Sequence, residues 1–163
     1  RRANKNMAEL TNALLLLSRK DAVHVGLEEV NLKELSTNII DEHRYLLIGK
    51  NVNYEVIGPD DFIYELPVAL CRIVLSNLIR NAFEHTVKGT VKVEVYNGEV
   101  CITNSISGFN EGFNSTNIEQ KYDGFGIGLD IVNKVVKQQD WQLSLVCDKQ
   151  KGGHVRISFK DNN

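Results

Sequence analysis

At 163 residues, with 42% apolar and 25% charged side chains, the chain is sized to bury one core and not two large ones. Its 19 basic and 21 acidic side chains leave a formal net charge of −2, which excludes a nucleic-acid or anionic-membrane surface built on bulk charge. The longest uninterrupted apolar run, residues 13–17, is far short of a membrane span, and the basic opening residues lead into no signal-peptide pattern.

Met7, Leu10, Leu14 and Leu17 step by three and four, the spacing of a helix that pairs with other helices. Leu15 and Leu16 widen that stripe, so a dimerising bundle helix is expected; an ordinary amphipathic helix packed on its own domain is the alternative. Met7 is the first methionine and the helical pattern is already under way around it. Residues 1–28 are therefore read as the end of a longer helix plus a linker, and residues 29–163 as a separate domain.

Asn31 is placed to cap a helix, with Glu34 as its capping-box partner. That helix is expected from about residue 32 to 47 or 48, stopped by Gly49. A short strand, "VNYEVIG", ends at Gly58-Pro59, and a strongly helical segment, "VALCRIVLSNLIRNAFEHT", follows Pro67. "TVKVEVY" and "EVCITNS", joined by Asn97-Gly98, predict a hairpin. Residues 105–125 hold no period and are read as a functional loop, ahead of a helix over about 126–139. "QLSLVCD" and "HVRISFK" around a Lys-Gln-Lys-Gly-Gly turn predict a second hairpin. The fold class is α+β, with helices on one face of a mixed, mostly antiparallel sheet. Cys71, Cys101 and Cys147 are odd in number and set in apolar patterns, which predicts buried reduced thiols rather than a disulfide frame or a zinc site.

In "LSNLIRNAFEH", Asn77, Asn81 and His85 recur at four-residue spacing and share one helix face with Glu84 beside them. Asparagine competes for the helix backbone, so two of them here need a reason. One reason is a solvated polar stripe. The other is a set of neutral oxygen ligands for a metal-bound phosphate chain, since Mg²⁺ takes few protein oxygens and completes its shell with water and phosphate. "DGFGIGLDIV" spaces Gly124, Gly126 and Gly128 at every second position. The third glycine comes one residue too early for a dinucleotide fingerprint, and the loop lacks the Gly-Lys-Ser/Thr of a Walker loop. What remains is backbone N–H groups approaching an anion at a helix start, with Lys121 just upstream.

In order, "NLIRNAFEHT", a hairpin, a lid-like loop, "GFGIGLDIV" and a closing "GGHVRISF" hairpin resemble the catalytic ATP-binding domain of sensor histidine kinases. That family shares a superfamily with gyrase, mismatch-repair ATPases and the heat-shock chaperone ATPase. The resemblance spans roughly residues 30–160. It implies the Bergerat fold, a two-layer α/β sandwich with a flexible ATP lid, and it makes residues 29–163 the catalytic domain. It also implies ATP and Mg²⁺ as ligands. Asn81 matches the Mg²⁺ ligand, with Asn77 a possible second, and His85 stands near the nucleotide. Gly124, Gly126 and Gly128 match the glycine box that hinges the lid and faces the phosphates, and Leu129 joins the nucleotide-binding set. Gly152 and Gly153 match the closing glycine motif, read as a turn.

This sequence departs from the family at the adenine end. Asn104 stands where the family has an aspartate that accepts the adenine amino group; an asparagine oxygen accepts the same bond without charge. Ile106 replaces a glycine of that box, and Gly108 keeps the other. Glu84 occupies a position commonly basic, and is read as a solvated residue at the helix edge. Hydrolytic members carry a glutamate where this chain has Asn77, which cannot act as a general base, so transfer to a protein acceptor is favoured over hydrolysis.

His24, His43, His85 and His154 all lack the acidic neighbour that follows the family's phosphoacceptor, so the acceptor is expected outside this chain and no catalytic residue is assigned within it. The resemblance further implies a homodimer formed through the N-terminal helix, a response regulator as partner and a cytoplasmic location. Neither nucleic acid nor direct membrane contact is expected. A degenerate nucleotide module acting as a regulatory interaction domain, and an anti-sigma-type serine kinase, are the alternatives.

Overall fold

The structure is a computed structural model and describes residues 26–59, 63–86, 88–104, 127–148 and 152–159. Strand β1 (Glu28–Asn31) leads into helix α1 (Leu32–His43), strand β2 (Asn51–Ile57), strand β3 (Ile63–Leu66) and helix α2 (Val68–His85). Strands β4 (Lys88–Tyr96) and β5 (Glu99–Asn104) follow, then helix α3 (Ile127–Gln138) and strands β6 (Gln142–Asp148) and β7 (Gly152–Ser158). The main sheet runs β2-β4-β5-β7-β6, with β2 parallel to β4 and every other neighbour antiparallel. β1 and β3 form a separate antiparallel pair. The mixed, mostly antiparallel sheet expected from the sequence is therefore present.

Local chemistry accounts for most of these boundaries. Asn31 caps α1, its Oδ1 accepting from the Glu34 backbone N–H at 3.0 Å. The α-helix is shorter than expected: it ends at His43 and tightens into a 3₁₀ turn, Arg44–Leu47, before Gly49 takes the left-handed conformation at φ 81°. The β4–β5 turn has φ 55° at Asn97 and 80° at Gly98, the double left-handed geometry that matches strand twist and that this dipeptide favours. Gly152 and Gly153, read as a turn, instead open β7 and pair with Asp148 and Cys147.

Alternation along the strands builds the core. Val91, Val93 and Val95 of β4, Val100 and Ile102 of β5 and Ile157 of β7 are at most 3% exposed. They share one cluster with Ile39 and Ile40 of α1, Leu75 and Phe83 of α2 and Ile131 and Val135 of α3, so the helices cover one face of the main sheet. Trp141 and Phe159 close the cluster edge-to-face, ring centroids 4.7 Å apart. Cys71 is fully buried on α2, and that burial pushes its thiol up to about 12. Cys101 is only half-buried, against expectation, because it sits on the other side of β5. Among the described residues no helix is long and apolar enough to cross a membrane.

Candidate nucleotide site

The site is built on the last two turns of α2. This helix is buried almost all round: Leu70, Val74, Leu78, Ile79 and Ala82 are in the core, and Asn77 and Asn81 are only 5% and 4% exposed. The solvated-stripe explanation of these asparagines therefore fails. Burying a side-chain amide without compensation is expensive, so each must be satisfied by the protein or by something bound.

The two asparagines differ in how they are satisfied. Asn77 is occupied within its own helix: Nδ2 donates to the Ile73 carbonyl at 2.7 Å, and Oδ1 accepts from an Arg80 guanidinium N–H at 2.7 Å. Asn77 thus orients Arg80, and its oxygen, read from the sequence as a possible second metal ligand, already accepts a bond from that guanidinium. No described residue hydrogen-bonds the Asn81 side chain, in contrast to Asn77. Among the described residues no cluster of three or more His, Cys, Asp or Glu is assembled.

The C-terminal end of α2 is held from three directions. Thr86 caps it: its backbone N–H reaches the Ala82 carbonyl at 3.1 Å, and its hydroxyl donates to the same oxygen at 2.6 Å. Lys50 Nζ donates to the Phe83 carbonyl at 2.9 Å and the Glu84 carbonyl at 3.1 Å, placing a cation against the negative end of the helix dipole. Asn104, at the end of β5 and paired with Val91, donates from Nδ2 to Thr86 Oγ1 at 2.5 Å and to the Ala82 carbonyl at 3.4 Å. Asn104 is 7% exposed and continues the inward row of Val100 and Ile102. Asn104, expected from the sequence at the adenine end, and the asparagine helix are thus stitched together directly. His85 is the final residue of α2 and half-buried, and Glu84 is also half-buried rather than fully solvated.

Gly128 and Leu129 lie in the first turn of α3, where backbone N–H groups lack helical partners and favour an anion. Gly108, Lys121, Gly124, Gly126, Ile106 and the leucine-striped segment fall outside the described residues, as does the predicted lid. Arg80, Thr86 and Lys50 were not anticipated from the sequence. Thr86 carried a local signal, as a hydroxyl residue ending a helical pattern, whereas Lys50 is more than 30 positions from its partners and carried none.

A mixed sheet with helices packed on one face, and buried asparagines on one of those helices, defines the architecture as an α/β sandwich. Residues 67–163 match the model of the Histidine kinase-, DNA gyrase B-, and HSP90-like ATPase family, and the chain belongs to that family. It is 24% identical over 148 residues to the sensor protein kinase GraS of Staphylococcus aureus (strain Newman), covering 82% of this chain and 42% of that protein. The chain thus spans less than half the length of that relative. Among solved structures it resembles the cytoplasmic segment of histidine kinase QseC, with TM-score 0.69, 16% identity and coverage of 96% of this chain and 95% of that one. It also resembles Acinetobacter baumannii histidine kinase AdeS, with TM-score 0.70, 16% identity and coverage of 98% and 80%. These likenesses bear out the Bergerat fold.

Proposed function

We propose that this chain is the ATP-binding kinase domain of a two-component sensor histidine kinase. It delivers the γ-phosphoryl group of ATP to a histidine on a dimerisation helix of the complete protein. The observation that carries this reading is the buried amide of Asn81, which has no hydrogen-bond partner among the described residues, on a helix whose end is tied to Asn104. In this reading Asn81 would hold Mg²⁺, which would supply charge neutralisation for the phosphates, and the N–H groups around Gly128 and Leu129 would meet the phosphates. Gly108, Lys121, Gly124 and Gly126 contribute from the lid segment, and His85 borders the nucleotide. Arg80, steadied by Asn77, adds a positive charge on the side where Glu84 removes one. Asn104 Oδ1 accepts from the adenine amino group.

Transfer breaks the bond between the γ-phosphorus and the β–γ bridging oxygen and forms one to an imidazole nitrogen. The domain contributes position and charge compensation rather than a covalent intermediate. Asn77 offers no general base for water, which favours transfer over hydrolysis. Residues 1–28 supply the end of the dimer stem, residues 29–163 are the catalytic domain, and a response regulator receives the phosphoryl group in the cytoplasm.

Calorimetric titration of the chain with ATP and Mg²⁺ tests this. Micromolar-range binding is expected, and Asn81→Ala is expected to weaken it by more than about tenfold, the loss of a charge-assisted contact. No heat at millimolar nucleotide overturns the reading and favours a regulatory interaction module.

A further inference from the structure

We propose that Thr86 fixes the direction in which Asn104 presents its amide, and so restores discrimination between 6-amino and 6-oxo purines at a position that has lost its charge. The inference rests on the reading that Asn104 meets the purine 6-substituent.

An asparagine is ambivalent: one end of the amide accepts and the other donates. With its oxygen toward the base it selects a 6-amino purine; reversed, it donates to a 6-oxo purine. A carboxylate at this position has no such ambiguity. The surroundings of Asn104 remove it. Thr86 is fully buried and its hydroxyl has one proton, directed at the Ala82 carbonyl 2.6 Å away. Toward Asn104 the hydroxyl therefore offers only lone pairs, 2.5 Å from Nδ2. The second group on that side, the Ala82 carbonyl at 3.4 Å, is also an acceptor. Two acceptors on the protein side require the –NH₂ end there, leaving Oδ1 for the ligand. Reversing the amide sets Oδ1 against the Ala82 carbonyl, and it requires the Thr86 hydroxyl to abandon its cap on α2. Such a reversal leaves a buried acceptor facing a buried acceptor.

The polarity that an aspartate provides by charge is thus provided here by a hydroxyl two elements away in sequence. Thr86 is in this sense a positioning residue that need not touch the nucleotide.

Competition titrations of the chain with ATP and inosine triphosphate, in Mg²⁺, test it. Inosine triphosphate has an oxo group at the 6-position and a proton on the adjacent ring nitrogen. The wild-type chain is expected to prefer ATP by about tenfold or more, the value of one oriented hydrogen bond against an unpaired one. Thr86→Val keeps the shape and removes the nearer acceptor, leaving only the Ala82 carbonyl at 3.4 Å to oppose reversal, so the preference is expected to fall to within about threefold. Thr86→Ser keeps the hydroxyl and is expected to retain the wild-type ratio. A loss of folded protein lowers both affinities together and leaves their ratio unchanged. A wild-type ratio near one overturns the proposal, as does an unchanged ratio in Thr86→Val, while ATP binding persists in both cases. Failure to bind either nucleotide overturns the nucleotide-site reading itself.

Discussion

The two faces of the five-stranded sheet are made by alternate residues of the same strands. On the helix-covered face, Val93 of β4, Ile102 of β5 and Ile157 of β7 are 0%, 1% and 0% exposed. On the other face, the row Glu55–Lys92–Thr103–His154 crosses β2, β4, β5 and β7 with every member half-exposed or exposed. Lys92 and Glu55 approach to 3.7 Å there, and His154 lies 3.2 Å from the Thr103 hydroxyl. The covered face concentrates apolar burial and ends, at Asn104, in the candidate site. The open face carries polar pairs that water weakens. The buried core and the candidate site therefore share one side of the sheet.

Three substitutions measure that contrast. Ile102→Ala is expected to cost about 2–5 kcal/mol, through lost burial and a residual cavity, read by denaturant unfolding. A loss under 1 kcal/mol would break the contrast. Lys50→Met removes two hydrogen bonds from the carbonyls ending α2 while keeping most of the apolar stem. It is expected to cost about 1–2 kcal/mol and to weaken nucleotide binding, since the same turn carries His85 and leads to Thr86. Lys92→Ala, on the open face, is expected to cost at most about 0.5 kcal/mol, with the difference vanishing in high salt.

What the sequence disclosed, and what it withheld, follows the range of the interactions. The Asn97-Gly98 turn, the Asn31 cap and the alternating strands depend on neighbours within a few residues, and each was legible. So was the four-residue spacing of Asn77 and Asn81. Their burial was not, because it depends on how completely the sheet and the other helices surround α2. The β1–β3 pair was missed because two four-residue strands of mixed exposure carry no usable period. The ending of α1 at His43 was missed because a 3₁₀ turn continues the same apolar spacing. The difference between Asn77, tied to Arg80, and Asn81, with no hydrogen-bond partner among the described residues, lies in side-chain geometry that spacing does not encode.

The parallel pairing of β2 with β4 bears on how the domain assembles. The β4–β5 hairpin closes across a two-residue turn, whereas Asn51 meets Lys88 only after 37 positions of chain that include all of α2. Loop closure grows costlier with the logarithm of length, about 0.6 kcal/mol for each doubling, and that entropy is lost before the long-range contacts form. The helix bearing Asn77 and Asn81 is the crossover within this long closure. Seating that helix is thus a non-local event, which ties the competence of the site to the slow, topological part of folding rather than to the quick local hairpins.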